Sequence, residues 1–292
     1  MANAHIHTVG SILKASTEFL AARDVFEARK ACELLLSRLL NCRPLELYVK
    51  FDSPLTEKHV DAMRRGVKRL GAGEPAQYIV GRVSFMQHSF AVDKRALIPR
   101  PETEFLVDAV LACKPLRDAD KPAVLEIGTG SGCVIVSLAL AMPGGIYTAI
   151  DISEEALTLA IANAGSLGAL DQITFSRSDL SDAVEPDSMD AIVANLPYVS
   201  TADWQKLPPH IRDFEPKIAL DGGPDGLSVI RDVVPDAWFA LKPGGSLFLE
   251  IGADQGERVV RLLTDAEFED VKVGKDLAGF DRVVSARRRQ DT

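Results

Sequence analysis

An apolar segment that runs directly into a glycine-rich turn is the feature that most constrains the fold of this 292-residue chain. The segment reads Val124-Leu-Glu-Ile-Gly-Thr-Gly-Ser-Gly132. Glycine adopts positive φ angles and lets the backbone approach a ligand closely. In open α/β sheets, the ligand crevice lies outside the carboxyl ends of the strands, beside a turn of this kind. The segment therefore predicts a buried strand, a ligand-binding turn and the start of a helix.

Strand-like and helix-like segments alternate along the chain from residue 122 onward. The predicted strands cover residues 123–128, 146–151, 172–177, 189–194, 246–251, 269–274 and 281–286, and the predicted helices cover residues 131–142, 153–167, 225–241 and 254–265. Alternating units imply a parallel sheet covered by helices on both faces. The last two strands leave no room for a helix between them, so they should pair antiparallel. The fold class is therefore α/β, with a mostly parallel, seven-stranded, Rossmann-like sheet that contains one reversed strand.

The first hundred residues have a different character. Residues 11–70 read as helices. Two short β-like runs, Tyr78-Ile-Val80 and Ser89-Phe-Ala-Val92, predict a hairpin. The turn Leu97-Ile-Pro-Arg-Pro-Glu-Thr-Glu104 then leads into a helix that Thr103 can cap. We expect an N-terminal helical domain over residues 1–73, a β-hairpin linker over 74–100 and the α/β domain over 101–292. In the N-terminal domain, an apolar stripe at helical spacing predicts a helix that packs against its neighbours. It consists of Ala28, Ala31, Cys32, Leu35, Leu36 and Leu39.

Charge is divided unevenly along the chain. Residues 1–100 carry a net charge of +6 and the remainder carries −15, which together give −9. The overall sign argues against non-specific nucleic-acid binding by the whole protein. Two modules with different partners would explain the asymmetry, and so would chance combined with solvated helix faces.

Cysteine usage and hydropathy indicate the compartment. The four cysteines lack metal-ligand spacing, so no metal site is expected, and a reducing compartment fits. No apolar run of about 18 residues is present, so we expect no membrane span. The first residues do not resemble a secretory signal. The expected location is the cytoplasm.

The glycine turn and two acidic strand ends predict a cofactor site. Asp151 ends the second strand, where its carboxylate can accept hydrogen bonds from both ribose hydroxyls. Asp179 and Leu180 end the third strand, where a polar and an apolar side chain can face an adenine ring. Cys133 occupies the position of the third glycine of dinucleotide enzymes, so the turn favours a cofactor without a pyrophosphate. S-adenosyl-L-methionine, with S-adenosyl-L-homocysteine as its product, fits; the alternative is a tight turn that binds nothing. The predicted cofactor-binding residues are Gly128, Thr129, Gly130, Ser131, Gly132, Asp151, Asp179, Leu180 and Asn195.

The tetrapeptide Asn195-Leu-Pro-Tyr198 follows the apolar strand 190–194 and predicts a substrate site. An amide nitrogen is a poor nucleophile because its lone pair is delocalised, so an enzyme must orient it. The Asn195 side-chain carbonyl can accept one N–H, the Leu196 backbone carbonyl can accept the other, and Tyr198 can pack against the planar group. Positioning and electrostatics then carry the catalysis. Asn195, Leu196, Pro197 and Tyr198 are predicted to bind substrate, and Asn195, Pro197 and Tyr198 to be catalytic; the alternative is an ordinary strand-ending turn.

Several other polar and aromatic residues leave two interpretations open. Arg100 and Glu102 can line a cleft or form an ion pair that fixes the linker. Glu250 can face the substrate or bond a neighbouring backbone group. His210 is predicted to be a surface residue, and Trp204 and Trp238 are predicted to pack rather than to stack on a base.

Taken together, the chain resembles a known family, the glutamine N5-methyltransferases of peptide-chain release factors (HemK/PrmC-like). The order of the motifs is more specific than any one of them. The matching stretches are Gly73-Glu-Pro-Ala-Gln-Tyr-Ile79, Leu97-Ile-Pro-Arg-Pro-Glu-Thr-Glu104, Glu126-Ile-Gly-Thr-Gly-Ser-Gly132, Asn195-Leu-Pro-Tyr198, Glu215-Pro216 with Ala219-Leu220, Gly223-Pro-Asp-Gly-Leu227, Leu249-Glu-Ile-Gly252 with Gln255-Gly256, and Asp276-Leu-Ala-Gly279 with Asp281-Arg282. Leu196 stands where the family pattern most often has proline. The replacement leaves the backbone carbonyl of this position in place.

The resemblance implies a class I S-adenosylmethionine-dependent methyltransferase domain preceded by a helical domain and a hairpin. It implies that Gly128 to Gly132, Asp151, Leu180 and Asn195 contact S-adenosylmethionine. It further implies that residues 195–198 bind the glutamine of the Gly-Gly-Gln loop of class I release factors. The basic N-terminal module would help to dock that factor. We expect the protein to be a monomer that makes no direct contact with nucleic acid or membrane.

Other functions remain open at this level. A nucleic-acid methyltransferase that acts on adenine N6 must orient a planar nitrogen in the same way, but it would need a basic groove to bind the nucleic acid. Methylation of another protein glutamine, a cofactor sensor without turnover and an NAD-dependent dehydrogenase are further alternatives. The dehydrogenase would leave the tetrapeptide at 195–198 unexplained.

Overall fold

The computed structural model describes residues 7–179 and 184–290. Its helices are α1 (Val9–Ala21), α2 (Ala28–Leu39), α3 (Glu46–Val49), α4 (Glu57–Gly71), α5 (Ala76–Val80), α6 (Glu104–Ala112), α7 (Lys114–Asp118), α8 (Cys133–Ala141), α9 (Glu154–Leu167), α10 (Thr201–Trp204), α11 (Pro209–Arg212), α12 (Ser228–Ala240) and α13 (Gly256–Asp265). Its strands are β1 (Arg82–Phe85), β2 (His88–Ala91), β3 (Ala123–Ile127), β4 (Ile146–Asp151), β5 (Ile173–Arg177), β6 (Met189–Ala194), β7 (Leu241–Glu250), β8 (Phe268–Lys275) and β9 (Asp281–Arg288). Short 3₁₀ segments lie at Pro101–Thr103, Leu170–Gln172 and Lys217–Ala219.

The chain divides into two compact units. The first comprises Met1–Arg82 together with Pro208–Phe214, and the second comprises Val83–Leu207 together with Glu215–Thr292. The inclusion of residues 208–214 in the first unit was not evident from the sequence.

The helical unit follows from its apolar stripes and helix caps. Helix α2 buries Ala28, Cys32, Leu35 and Leu36, which confirms the predicted stripe. Thr56 caps α4 by accepting a hydrogen bond from the backbone N–H of His59. Most buried apolar residues of α1, α2 and α4 belong to a single apolar cluster.

The segment 208–214 carries two rings that pack within the helical unit. The His210 ring stacks on Phe26, with ring centroids 5.8 Å apart. Phe214 lies so close to Gly73 that a Cβ there would stand 3.4 Å from its ring. His210, predicted as a surface residue, is half-buried and has a ring partner in Phe26.

The large sheet of the second unit has the strand order β5-β4-β3-β6-β7-β9-β8. Strand β9 pairs antiparallel with both β7 and β8, while the other pairs are parallel. This arrangement confirms the predicted seven-stranded sheet with one reversed strand. Because β3, β4 and β6 run parallel, the segments that follow them meet at one edge of the sheet.

Apolar side chains cover both faces of this sheet. On β3, Val124 belongs to one buried cluster, whereas Leu125 and Ile127 belong to the other. The first cluster includes side chains of α6 and α8, and the second includes those of α12 and α13. Such two-sided burial is typical of parallel strands and explains why they read as continuous apolar runs.

The predicted hairpin is present, but its first strand lies further along the chain. Residues 78–80 belong to helix α5, so their assignment to a strand was wrong. Pro75 precedes that helix, and Gly81, with φ of +74°, ends it. These helix-boundary residues outweigh the β propensity of Tyr78-Ile-Val80. Phe85 and Phe90 of the hairpin are buried in the cluster that contains Val124.

Asn163 of α9 joins the hairpin to the glycine turn. Its amide exchanges hydrogen bonds of 2.8 and 3.0 Å with the backbone N–H and carbonyl of Ala91. The same Nδ2 donates to the carbonyl of Ser131 at 2.8 Å. We expect Asn163→Ala to lower the free energy of unfolding by about 2–4 kcal/mol, because it leaves the buried backbone groups of Ala91 and Ser131 without their hydrogen-bond partner. Urea unfolding followed by tryptophan fluorescence measures the change.

The control for this substitution is Thr158→Ala on the exposed face of the same helix. Thr158 bonds only the backbone carbonyl of Glu154, so its removal should change stability little. Equal stability of the Asn163→Ala variant and the control would contradict a bridging function for Asn163.

Two properties concern the described residues only. None of their helices is long and apolar enough to cross a membrane. Within them, no group of three or more His, Cys, Asp or Glu side chains is arranged to hold a metal ion.

Candidate active site at the carboxyl edge of the sheet

The glycine turn after β3 needs glycine for conformational reasons. Gly128, Gly130 and Gly132 have φ angles of +70°, +55° and +79°. The backbone N–H groups of Gly128 and Thr129 donate to the carbonyl of Ile150 at 2.9 and 3.0 Å, which ties the turn to β4. A Cβ on Gly132 would lie 3.0 Å from the Cβ of Ala160, so this glycine also permits close packing of α8 on α9.

Asp151, at the end of β4, holds the shape of the turn. Its Oδ2 accepts a hydrogen bond from the N–H of Gly130 at 2.9 Å, and its Oδ1 accepts one from the N–H of Ser153 at 2.9 Å. Each carboxylate oxygen retains further acceptor capacity. The side chain is half-buried and lines the adjacent cavity, so it can also bind hydroxyl groups of a ligand.

A cavity of about 470 Å³ opens beside the glycine turn. Of the predicted cofactor and substrate residues, those that line it are Gly128, Thr129, Gly130, Ser131, Asp151, Asp179, Asn195, Leu196 and Pro197. Gly132 and Tyr198 lie outside this lining, and Leu180 falls outside the described residues. The carboxyl ends of β3, β4 and β6 thus bring most of the predicted site residues to one cavity.

The cavity also has walls that the sequence indicated only in part. One wall comes from the proline-rich turn, through Leu97, Pro99, Arg100 and Thr103. Another comes from Pro216, Ile218 and Ala219 and from the α12 residues Val229, Asp232 and Val233. The proline-rich turn was noticeable as a motif, whereas no periodicity or spacing indicated the α12 side chains.

The side-chain amide of Asn195 is hydrogen-bonded to Thr103. The Nδ2 group of Asn195 donates a hydrogen bond to Thr103 Oγ1 at 3.1 Å. Thr103 is 2% exposed and makes no side-chain capping bond to α6, so its predicted capping function was wrong. No described residue donates to Asn195 Oδ1. The amide therefore presents its carbonyl oxygen as a free acceptor beside the cavity.

The backbone after Asn195 is held from two sides. Val199 exchanges hydrogen bonds with the 220–222 turn, from Val199 N to Leu220 O at 3.0 Å and from Gly222 N to Val199 O at 2.8 Å. Gln255 Nε2 donates to the carbonyl of Tyr198 at 2.9 Å. Among the described residues, no backbone N–H donates to the Leu196 carbonyl. The carboxyl end of the tetrapeptide is thus held by hydrogen bonds, and the Leu196 carbonyl is a second acceptor.

Gly222 provides the space for this arrangement. A Cβ at position 222 would stand 2.5 Å from the Pro197 carbonyl, so only glycine allows this approach. The loop of residues 221–226 therefore packs directly against the backbone of the tetrapeptide.

Tyr198 bonds a buried carboxyl group. Its hydroxyl donates to Glu250 Oε1 at 3.3 Å, and Glu250 is 1% exposed. Burial raises the pKa of Glu250 to about 7, and it raises the pKa of Tyr198 as well, together with the neighbouring Glu250 charge. Glu250 therefore bonds a side chain of the tetrapeptide, which neither open interpretation had specified.

Arg100 pairs with Glu215 rather than with Glu102. The guanidinium Nη2 contacts Glu215 Oε1, and the other oxygen of Glu215 accepts from the backbone N–H of Ile98 at 3.0 Å. Glu215 is buried, whereas Glu102 is exposed. For Arg100 both interpretations hold, because it lines the cavity and its ion pair fixes the proline-rich turn. For Glu102 neither was right, because it lies outside the cavity lining and forms no ion pair among the described residues.

Glu126 adds a buried carboxyl group to the cavity. It accepts hydrogen bonds from the Thr129 hydroxyl and from the Ile135 backbone N–H. Burial, together with the smaller effect of the Asp151 charge, raises its pKa to about 8 despite those two bonds. A positively charged ligand in the cavity would favour the ionised form of this group.

The two tryptophans pack against neighbouring side chains. Trp238 meets Phe268 edge to face, with ring centroids 5.0 Å apart. Lys217 Nζ lies 4.4 Å from the centroid of the Trp204 ring. These contacts confirm the prediction that both rings pack within the protein.

Comparison with known proteins gives a consistent result over nearly the full chain. A family model described as the PrmC N-terminal domain matches residues 11–81, and one described as a methyltransferase domain matches residues 124–214. The release factor glutamine methyltransferase of Chlorobaculum tepidum is 38% identical over 287 residues, which cover 96% of this chain and 97% of that protein. The release factor glutamine methyltransferase of Koribacter versatilis is 40% identical over 282 residues, which cover 96% and 99%.

A solved structure shows the fold. The hMettl16 catalytic domain, solved in complex with the MAT2A 3′UTR hairpin 6, matches with a TM-score of 0.55 at 14% identity. The match covers 70% of this chain and 76% of that chain. At this identity the likeness concerns the sheet and its helices only.

Proposed function

The chain belongs to the family of release factor glutamine methyltransferases, and from this premise we propose that it methylates the glutamine of the Gly-Gly-Gln motif in class I peptide-chain release factors. The methyl acceptor is the side-chain amide nitrogen, N5. The observation that carries the proposal is the Asn195 amide, which Thr103 holds with its Oδ1 unengaged beside the cavity of the glycine turn.

The cavity fits S-adenosylmethionine as the methyl donor. A Cβ on Gly130 would meet no heavy atom closer than 3.9 Å, so the glycine leaves open space on the cavity side. Asp151 offers acceptors for ribose hydroxyls, and Asp179 lines the same cavity. When bound, the sulfonium group supplies an activated methyl. We assign cofactor binding to Gly128, Thr129, Gly130, Ser131, Gly132, Asp151, Asp179, Leu180 and Asn195.

Residues 195–198 orient the substrate amide. Asn195 Oδ1 and the Leu196 carbonyl accept its two N–H groups, which turns the nitrogen lone pair away from both acceptors. Pro197 lines the cavity, and the Tyr198 ring packs against the amide plane. Catalysis then rests on positioning and electrostatics, without an obligatory general base.

A direct comparison of acceptors tests this proposal. The purified protein is incubated with S-adenosylmethionine carrying a labelled methyl group and with a class I release factor, adenine-containing DNA or adenine-containing RNA. We expect label only in the release factor, because residues 101–292 carry a net charge of −15, which disfavours binding to the phosphate backbone of a nucleic acid. Label in DNA or RNA alone would transfer the proposal to adenine N6.

We further assign docking of the release factor to the N-terminal helical domain, residues 1–73, with residues 74–100 as a hairpin linker and 101–292 as the catalytic domain. The support is the net charge of +6 over residues 1–100. A modifier of a translation factor acts in the cytoplasm, where we place this protein as a monomer.

Helix α4 presents the basic side chains for docking. Arg64, Arg65, Lys68 and Arg69 are all exposed. Arg64 pairs with Asp61 and Arg69 pairs with Glu74, whereas Arg65 and Lys68 have no ion pair within the described residues. The latter two are therefore the cations available to a partner.

Reversing both charges, in Arg65→Glu/Lys68→Glu, should raise the Kd for the release factor by about 10-fold at low salt. The reason is the loss of electrostatic complementarity, and titration calorimetry at two salt concentrations measures it. The matched control is Arg117→Glu/Lys121→Glu, two exposed cations of the catalytic unit. Unchanged affinity in the α4 variant would remove this docking surface.

A further inference from the structure

An asparagine amide can serve as an acceptor only if its orientation is fixed. The two ends of the Asn195 amide have nearly the same shape, but only Oδ1 can accept a substrate N–H. In the structure, Nδ2 faces Thr103 Oγ1 at 3.1 Å. If the amide were rotated by half a turn, Nδ2 would face the cavity and would repel the N–H of the substrate.

Thr103 alone does not determine this orientation. A threonine hydroxyl is both a donor and an acceptor, so it can receive a bond from Nδ2 or donate one to Oδ1. The orientation is determined only if the hydroxyl proton is engaged elsewhere. Thr103 is buried, so its proton needs a partner within the protein.

Glu250 is placed to take that proton. It is the last residue of β7, opposite Val283 of β9, and it is 1% exposed. The Tyr198 hydroxyl donates to its Oε1, while its Oε2 is buried and has no hydrogen-bond partner of good geometry among the described residues. The Thr103 hydroxyl lies close enough to lower the pKa of the Glu250 carboxyl, as a donor to the carboxylate does.

We propose that Glu250 is a positioning residue that acts through Thr103, by accepting the Thr103 proton so that Asn195 presents Oδ1 to the substrate amide. The inference rests on the function proposed above. An ionised carboxylate is only an acceptor, so Thr103 must donate to it and must accept from Asn195 Nδ2. The direction of each bond in the chain Glu250–Thr103–Asn195 then follows from the charge of Glu250.

The groups around Glu250 set the pH at which this chain works. Burial raises the pKa of the carboxyl most, Thr103, Arg282 and Tyr198 lower it and Glu102 raises it, with a net result of about 7. Arg282 is itself paired with Asp276 at 3.1 Å, and Cys133 lies near enough for the Glu250 charge to raise the pKa of its thiol. A protonated Glu250 can donate to Thr103, which then donates to Asn195 Oδ1. The acceptor orientation is therefore lost as the pH falls through about 7.

Kinetics of four proteins test the inference. We compare the pH dependence of kcat for the wild type, Glu250→Gln, Thr103→Val and Thr103→Ser. Wild-type kcat should fall on the acidic side of pH 7. Glu250→Gln should lower kcat at pH 8.5 by about 100-fold and should remove the decrease of kcat at acidic pH. Thr103→Val should show the same loss, and Thr103→Ser, which keeps the hydroxyl, should recover most of the rate. Glu269→Gln, at an exposed site on β8, is the control for loss of one carboxylate.

A second measurement needs neither turnover nor substrate. In the ¹⁵N- and ¹³C-labelled full-length wild type, the Glu250 carboxyl and the Asn195 side-chain amide are followed by NMR against pH. Both signals should shift with one shared midpoint, and the amide shift should vanish in Thr103→Val. This titration distinguishes failure of the relay from failure of the proposed function, which is the absence of any methyl transfer by the wild type.

Two results would overturn the inference. One is a Glu250→Gln variant that keeps the wild-type kcat and the same acidic limb. The other is an Asn195 amide signal that does not move while Glu250 titrates.

Discussion

Asn195→Ala should lower kcat for methyl transfer by about 100- to 1,000-fold, the range found when one preorganised group of an oxyanion hole is removed. The variant loses the Oδ1 acceptor that Thr103 orients at the edge of the cavity. The Leu196 carbonyl alone can still accept one N–H, but it cannot fix the plane of the amide. Single-turnover kinetics with a saturating release factor measure the change directly.

The controls for this substitution separate orientation from folding and from cofactor binding. Asn41→Gly removes an exposed asparagine with φ of +48°, a conformation that glycine adopts freely, and should retain the wild-type rate. Asn195→Asp keeps the shape of the side chain but has no N–H for Thr103, so it should be nearly as slow as the alanine variant. Wild-type kcat in Asn195→Ala would contradict the placement of the tetrapeptide at the reacting atoms.

The second large effect should appear in cofactor affinity. Asp151→Ala removes the acceptor for Gly130 N and Ser153 N, both at 2.9 Å, together with the acceptor proposed for the ribose. A hydrogen bond to a charged group contributes about 1.5–3 kcal/mol, so the Kd for S-adenosylmethionine should rise by about 10- to 150-fold. Equilibrium dialysis or calorimetry measures this without a protein substrate.

Asp151→Asn provides an intermediate case. Its single side-chain carbonyl can replace one of the two acceptors, so its affinity should fall between those of the wild type and the alanine variant. Asp265→Ala, at the exposed end of α13, is the matched control and should bind as the wild type does. An Asp151→Ala variant with unchanged Kd would show that the cofactor lies elsewhere.

The α/β sheet was predictable because its signals are local and repetitive. The central strands are buried on both faces and read as largely apolar runs, and β3 and β4 are each followed directly by a helix of ordinary length. The absence of a helix between β8 and β9 was enough to predict the reversed strand. The glycine turn and the acidic end of β4 then indicated the edge of the sheet where a ligand binds.

The supporting contacts were not predictable, because they join residues that are far apart in sequence. Thr103 reads as a helix cap, but its hydroxyl meets Asn195 instead, 92 positions away. Glu215 belongs to a stretch that matches the family, but nothing in the sequence indicated that it anchors both Arg100 and Ile98. Burial of such polar groups depends on tertiary packing, which periodicity does not encode.

Leu196 illustrates how the structure explains a departure from the family pattern. Its side chain is 5% exposed and belongs to the apolar cluster that contains Ile127 and Leu227. The backbone at this position remains held through Val199 and Gln255, so leucine adds buried apolar surface without displacing the carbonyl.

The central claim is that the methyl group reaches the side-chain nitrogen of the Gly-Gly-Gln glutamine, and tandem mass spectrometry of the modified release factor tests it most directly. The factor is digested after incubation with the wild type or with Asn195→Ala. We predict a single added methyl, assigned by fragment ions to the glutamine side chain and absent with the variant. A methyl on another residue, or an equal yield with Asn195→Ala, would contradict the account.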